Sequence, residues 1–310
     1  MRLQELKGFL EVLEHASFSE AALELGVSQS TLSYAVAELE RDLGAKLLER
    51  GRFGASATEL GERLAVYARE MLQLEAAMRQ EVGAQQGVIR GRLRVIAFRS
   101  VAGRLLPRLM VQLRRRAPEL TVRLLEVDHH DDQGRTAGDL LREHRADVAF
   151  TERLPADSDD HRDLSGLIVW SLFDDPYVGL VPSDDPRSVL DWSEATILPA
   201  RGQLGVRLGE QVATHERIQE DSTIVRMVSE GLGSSILPSL AIDDAPAGVK
   251  QVPLRRPLSR TIALALLPSV LKVPAVRVFL QTLKTQFPGS DVPDMSVLDS
   301  GTTSTPTDEP

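Results

Sequence analysis

The sequence predicts a mixed chain built in three stretches: a small, mainly helical N-terminal module, one long helix, and a larger α/β module of two lobes. Three observations carry this expectation. Helical stripes of Leu, Phe and Val, punctuated by capping residues and glycines, fill residues 1–58. Leu60, Leu64, Tyr67, Met71, Leu74 and Met78 then recur at alternating spacings of four and three, the heptad alternation of helices that pair lengthwise. From residue 91 onward, short apolar runs alternate with helical patterns, as in a sheet flanked by helices.

Composition limits what such a chain can do. Its 310 residues, 42% hydrophobic and 26% charged, suffice for two or three domains with real cores. With no cysteine, disulfides, thiolate nucleophiles, iron–sulfur clusters and Cys-ligated zinc are excluded, so any redox sensing would need Met or a cofactor. The most apolar run, Ile262 to Leu271, is interrupted by Pro268 and too short to cross a bilayer, and Glu5, Lys7 and Glu11 stand where a signal peptide would be apolar. A cytoplasmic protein with no membrane partner is expected. Net charge is −9, and residues 1–58 carry six Lys and Arg against nine Asp and Glu, a balance of −3. Nucleic-acid binding must therefore rest on motif geometry and local charge, chiefly Arg50 and Arg52.

In chain order, Leu3, Leu6, Phe9, Leu10, Val12 and Leu13 form the stripe of a first helix ending near His15. Ser17 and Glu20 have capping-box spacing, although Ser19 is an alternative cap, and Ala21, Ala22 and Leu25 give a short second helix closed by Gly26. Ser28 is placed to cap a third helix, running to Gly44, whose Leu32, Val36, Leu39 and Leu43 share one face that must be buried. Gln29, Ser30, Ser33, Tyr34 and Ala37 lie on the other face, with no carboxylate among them, so the first turns can approach phosphates and base edges. The order helix, short helix, tight Gly turn, helix is helix-turn-helix logic. A short strand from Lys46 to Glu49 and a small-residue tip from Gly51 to Ser56 suggest a hairpin wing, with Arg50 and Arg52 flanking Gly51.

SFSEAALELGVSQSTLS, LERDLGAKLLER and ATELG together resemble the winged helix-turn-helix of the LysR-type transcriptional regulators over residues 1–62. The resemblance implies DNA contact by Gln29, Ser33, Tyr34, Arg50 and Arg52. Ser28, Ser30 and Thr31 at the helix start complete the candidate set. Ser30 stands where the family usually has proline and Tyr34 where a basic residue or histidine is common. These departures bear on which bases are preferred, not on whether DNA is touched.

Thr58 caps the long helix, with Glu59 and Glu62 in its first turn. Its seam of Leu60, Leu64, Tyr67, Met71, Leu74 and Met78 is expected to pair with a second copy. From Thr58 to Val82 it would span roughly 35 to 40 Å, enough to hold two recognition helices about one DNA turn apart, ~34 Å. A helix packed lengthwise on its own domain is the competing reading.

After a Gly- and Gln-rich hinge at residues 83–91, strands are expected at Leu93 to Phe98, Thr121 to Val127 and Asp147 to Phe150, with helices at Leu105 to Arg116 and Asp139 to His144. A polar stretch from Thr151 to Leu167 marks a crossover. Further strands are expected at Ile168 to Leu172, Tyr177 to Val181, Thr196 to Leu198, Ile236 to Leu237, Val249 to Val252 and Thr261 to Leu266. Helices are expected at Arg207 to His215, Ser222 to Glu230 and Val276 to Phe287, the last returning to the first lobe. This is the architecture of periplasmic-type binding proteins, and SVAGRLLP, QLRRRAPELTVRL and EGLGSSILP resemble the regulatory half of the same family. The expected domains are 1–58, a linker helix and hinge at 59–90, and an effector domain at 91–287, with lobe 1 at about 91–163 and 267–287 and lobe 2 at about 164–266. The Ser/Thr/Pro/Asp-rich tail at 288–310 is expected to be disordered.

Small ligands in such folds sit at strand carboxyl ends and helix N-termini between lobes, which singles out Ser100, Asp128, Thr151, Arg201 and Gly202. Arg201 would clamp a carboxylate, giving an acidic effector, or be an exposed loop arginine. Ser100 would bind effector or simply cap its helix. His129, His130, Asp131 and Asp132 are adjacent residues whose side chains diverge, so a polar loop is expected, with no metal or cofactor. No catalytic constellation stands out. The expected function is a non-enzymatic, sequence-specific regulator of transcription. Its expected partners are operator or promoter DNA, a small-molecule effector, RNA polymerase, and further copies of itself as a homodimer or homotetramer. The competing readings are a solute-binding or sensor protein that does not act on DNA, and a cleft enzyme.

Overall fold

The computed structural model describes residues 1–51, 54–128, 130–153, 164–199, 216–218, 220–242 and 247–295. The expected helix at Arg207 to His215 lies outside the described residues, as do His129 and most of the expected tail. The chain divides into two compact units, one comprising Met1–Val88 with Arg142–Arg145 and the other Ile89–Leu141 with the chain from Ala146 onward.

In the first unit, α1 (Leu3–His15), α2 (Phe18–Leu25) and α3 (Gln29–Leu43) enclose a core of Leu6, Phe9, Val12, Ala21, Leu32, Val36 and Leu39. Ser17 caps α2, its hydroxyl accepting from the Glu20 N–H, and Ser28 caps α3, accepting from the Thr31 N–H. Gly26 and Gly44 close these two helices in the left-handed conformation that glycine adopts without steric cost.

Two expectations are corrected here. Leu43 does not join the buried face; it is 41% exposed, and Glu40 is buried in its stead at 7%. A carboxylate is tolerated there because Glu40 accepts from the Leu47 N–H (2.9 Å), the Leu48 N–H (3.2 Å) and Lys46 Nζ (2.6 Å), fully hydrogen-bonded as a buried charge must be. The wing strands are β1 (Leu48–Gly51) and β2 (Gly54–Ala57), antiparallel, with β1 starting two residues later than the sequence suggests. The segment before it is held by Glu40 instead of by a strand partner.

Helix α4 (Glu59–Gln85), capped by Thr58, is 27 residues long, about 40 Å. Its start is tied to the wing: the Thr58 N–H donates to the Leu47 carbonyl and Thr58 Oγ1 to the Lys46 carbonyl. At Gly61 a Cβ would lie 2.1 Å from the Leu47 carbonyl oxygen, so glycine permits this approach. Leu60 and Leu64 lean on the core of their own unit. Tyr67, Met71, Leu74 and Met78 leave theirs exposed, Met78 by 71%.

In the second unit, β3 (Gly91–Ala97), β4 (Leu120–Glu126) and β5 (Val148–Arg153) are parallel neighbours, as the βαβ pattern predicts. They are packed by α5 (Arg99–Arg104), α6 (Leu106–Arg116) and α7 (Ala137–Arg142). The helix expected from Leu105 is thus preceded by a separate turn of helix, and α7 ends before His144, whose φ of 54° is left-handed. β6 (Ile168–Pro182) is one strand where the sequence suggests two. Asp174, Asp175 and Pro176 read as a break, yet the strand continues because its partners change. β11 (Ser259–Leu266) pairs with its first half, while β9 (Ser235–Pro238) and β10 (Val249–Val252) take the second.

β7 (Ile197–Pro199) and β8 (Glu216–Ile218) extend the second lobe, against which α8 (Asp221–Ser229) packs. The last helix, α9 (Pro274–Gln286), returns to α6 and β3 of the first lobe, as expected. Separate cores fill the lobes, one around Val95, Leu109, Phe150, Leu264 and Phe279, another around Val181, Leu190, Leu198 and Ile236. No helix among the described residues is long and apolar enough to cross a membrane.

Glu40 makes this unit pH-sensitive. Burial alone would raise its pKa, but the bonds from Lys46, Leu47 and Leu48 outweigh it and hold the carboxyl below its ordinary 4.5. Its stabilising contribution is therefore complete above that value and lost as pH falls through the depressed folded one. Glu40→Ala should cost about 1–3 kcal/mol at neutral pH in urea unfolding of the first unit, because two buried N–H groups lose their acceptor, and the difference from wild type should shrink in acid. Equal stability of the two at neutral pH would contradict this role.

Candidate functional site

Two sites follow from the fold. The first is the outward face of α3. From Gln29 to Ala37 the helix carries no charged residue. Ser28, Gln29, Ser30 and Thr31 are exposed, Ser33 is half-buried and Tyr34 is 67% exposed. Ser28 Oγ lies 2.8 Å from Ser30 Oγ and 2.7 Å from Thr31 Oγ1, so the N-terminal turn presents a hydroxyl cluster beside the positive end of the helix dipole. Glu38, Arg41 and Asp42 come later, with Arg41 paired to Glu38. A surface of this kind meets phosphate and base edges without like-charge repulsion. Of the two wing arginines, Arg52 lies outside the described residues and Arg50 is described by its backbone, in β1, alone.

The second site is the rim where the carboxyl ends of β3, β4 and β5 meet the other lobe. Asp128, just past β4, accepts from the Arg99 N–H (3.2 Å) and from Arg99 Nη2 (3.1 Å). Arg99 also pairs with Glu220, at the start of α8. The two carboxylates more than offset its burial and raise its pKa. Asp221, in the first turn of α8, is pushed upward chiefly by burial, against the pull of Arg99 and Arg260. Ser100 does not cap α5, whose N-cap is Phe98; it lies inside the helix and accepts from Arg260 Nη2 (2.8 Å). Thr151 Oγ1 is buried without a hydrogen-bond partner. Arg201 and Gly202 lie outside the described residues.

Sequence reasoning missed Arg260. It is 6% exposed on β11, bonded by Nε to Asp175 (2.9 Å) and by Nη1 to Glu152 (2.5 Å), with its guanidinium carbon 5.1 Å from the Phe98 ring centroid. Burial alone would lower its pKa, but Glu152 and Asp175 raise it, so the guanidinium stays charged. Asp175 is fixed in turn by Ser239 Oγ (2.8 Å) and the Leu240 N–H (2.9 Å). An arginine just ahead of the apolar run IALAL, in the strand SRTIALAL, was the signal in the sequence.

A winged helix-turn-helix followed by a two-lobed α/β domain defines the class: a DNA-binding regulator with a built-in ligand-sensing module. Residues 3–62 match the family model for the bacterial regulatory helix-turn-helix protein, lysR family, and residues 86–288 that for the LysR substrate binding domain. The chain belongs to the LysR-type transcriptional regulators. It is 37% identical to a probable HTH-type transcriptional regulator, LrrA, of Synechococcus elongatus, over 93% of this chain and 98% of that one. A probable hydrogen peroxide-inducible genes activator of Streptomyces viridosporus is 30% identical over 77% of this chain and 78% of its own. Among solved structures, a full-length OxyR variant from Pseudomonas aeruginosa superposes with a TM-score of 0.70 at 28% identity, covering 92% of this chain and 95% of that one. CbnR in complex with its target DNA shares the fold, with a TM-score of 0.59 at 20% identity over 92% of this chain and 99% of that one. The family consists of transcriptional regulators with DNA-binding and effector-binding domains, not enzymes.

The two arginines of the rim should differ in stability effect. Arg260→Met leaves the buried Asp175 and the part-buried Glu152 without their cation and should cost about 3–5 kcal/mol. Arg99→Ala, whose partner Glu220 is half exposed, should cost about 0–1 kcal/mol. Urea unfolding of the second unit measures both, and equal losses would contradict the distinction.

Proposed function

We propose that this chain regulates transcription by gripping operator DNA as a homo-oligomer, with a small-molecule effector in the interlobe rim setting the grip. The observation that carries the DNA part is the uncharged, hydroxyl-rich first half of α3, Gln29 to Ala37, held outward by a buried stripe. Ser28, Gln29, Ser30, Thr31, Ser33 and Tyr34 contact the major groove, while Arg50 and Arg52 on the wing meet the flanking backbone or minor groove. The exposed seam of Tyr67, Met71, Leu74 and Met78 pairs with a second copy, assisted at its start by Leu60 and Leu64, and brings two recognition helices onto one face of the duplex. A homotetramer forms if two such dimers associate through the second unit.

Ser100, Asp128 and Thr151 line the effector site in this reading, with Arg201 and Gly202 completing it and an acidic effector as its ligand. Several relatives carry the name hydrogen peroxide-inducible genes activator. These 310 residues hold no cysteine, so a thiol–disulfide switch within them is excluded and a bound small molecule is the input that fits. Occupancy alters lobe or subunit orientation and hence the spacing of the recognition helices or contact with RNA polymerase.

On a DNA fragment from upstream of its own gene, a band shift should weaken linearly with log salt. Ser33→Ala with Tyr34→Ala should lower affinity by about 10- to 100-fold. Unchanged binding by that double variant would remove α3 from the interface. Leu74→Glu should sediment as a smaller species than wild type and lose tight binding, whereas an unchanged sedimentation coefficient would rule out the seam.

A further inference from the structure

Charge is spread unevenly along this chain. Between Arg90 and Arg123 it carries ten arginines and one carboxylate, Glu119, in a protein whose net charge is −9. Some of these arginines are taken up inside the second unit: Arg90 pairs with Glu119, Arg94 with Asp147, and Arg99 with Asp128 and Glu220. Those of α6 are not. Arg108, Arg114 and Arg115 are exposed and make no ion pair or hydrogen bond among the described residues. Arg116 meets only neutral hydroxyls on α9, donating to Thr282 Oγ1 through Nη1 (3.4 Å) and to Thr285 Oγ1 through Nη2 (3.1 Å). Arg108, Gln112, Arg115 and Arg116 follow at spacings of four, three and one, which puts them on one side of the helix. Neither α6 nor α9 contains an acidic residue.

The helix dipole accounts for part of this arrangement. Cations in the last turn of α6 are favoured by its negative end, but Arg108 stands in the first turn, where the same dipole repels a cation. A protein partner would centre on buried apolar and aromatic groups, and α6 exposes only Met110 and Val111 of that kind. The DNA-binding half of the chain, meanwhile, is short of cations. Residues 1–88 hold nine Lys and Arg against fourteen Asp and Glu, although phosphate neutralisation provides a large share of the affinity of a duplex-binding protein. We propose that the face formed by α6 and α9 is a second DNA-contacting surface, where Arg108, Arg114, Arg115 and Arg116 neutralise backbone phosphates that the first unit leaves uncovered. Contacts of this kind add affinity without sequence preference. The inference rests on the chain's binding of DNA, not on the assignment of α3.

The test measures binding of the full chain to an operator fragment and to an unrelated fragment of equal length across a salt series. Arg108→Gln with Arg115→Gln removes two cations that hold nothing else in place, so the fold should be unaffected. On both fragments the slope of log affinity against log salt should become shallower by about 2, at roughly 0.9 per phosphate contact. The ratio of operator to unrelated affinity should stay as in wild type. Arg108→Lys with Arg115→Lys should restore the slope, because a phosphate accepts a point charge where a carboxylate partner prefers the guanidinium fork. An unchanged slope in the Gln variant overturns the proposal, and so does a slope that lysine fails to restore. A smaller sedimenting species overturns it too, since the face would then be a contact between copies. Ser33→Ala with Tyr34→Ala acts on the operator fragment alone, so a failure of the α3 reading shows separately.

Discussion

The geometry of the DNA-binding unit depends on one carboxylate. A helix can present a chosen face to a groove only if its roll is fixed, and three apolar residues in a stripe, Leu32, Val36 and Leu39, constrain roll loosely. Glu40 completes the constraint by accepting from the backbone of Leu47 and Leu48, so the end of α3 is bonded to the strand that begins the wing. The same segment receives the start of α4 through Thr58 and the close approach at Gly61. Recognition face, wing and linker helix are thereby joined within a few residues of Glu40. A carboxylate costs several kcal/mol to desolvate, and here two N–H groups and an ammonium offset that cost while specifying a direction that apolar packing cannot.

What was legible in the sequence was local. The caps at Ser17, Ser28 and Thr58 and the terminators Gly26 and Gly44 satisfy helix ends from within a few residues, so residue type and spacing suffice to find them. Leu43 was misplaced because hydrophobicity alone ranks it above Glu40, whereas burial was decided by N–H groups seven and eight residues further on. β6 was divided because Asp174, Asp175 and Pro176 are turn residues in isolation. Pro176 is tolerated since it falls where pairing with β11 ends and pairing with β9 begins. Arg260 was invisible for the same reason on a larger scale. Its partners are 85, 108 and 160 positions away, and no periodicity reports a cluster assembled at that range. Ser100, Asp128 and Thr151 were found by a rule about strand ends, not by any pattern around them.

The two units divide the work by chemistry. The first exposes short polar groups and a seam of Tyr, Met and Leu, surfaces suited to nucleic acid and to a second helix. The second gathers charge at the junction of its lobes, where Arg99 and Arg260 each bind carboxylates contributed by different elements. Strands β6 and β11 run through that junction, so a change in how its charges are paired acts on the two strands that both lobes share. An exposed pair such as Arg99 with Glu220 is weak enough to break and remake, while the buried Arg260 cluster is not. The one suits a contact that can open and close, the other a fixed strut between the lobes.

Hydroxyl-radical footprinting of the operator by the full chain tests most directly whether paired copies set matching recognition helices on one face of duplex DNA. Two protected patches about one helical turn apart, ~10 base pairs, on the same face of the duplex are the result the account predicts; a single protected patch at saturation would contradict it.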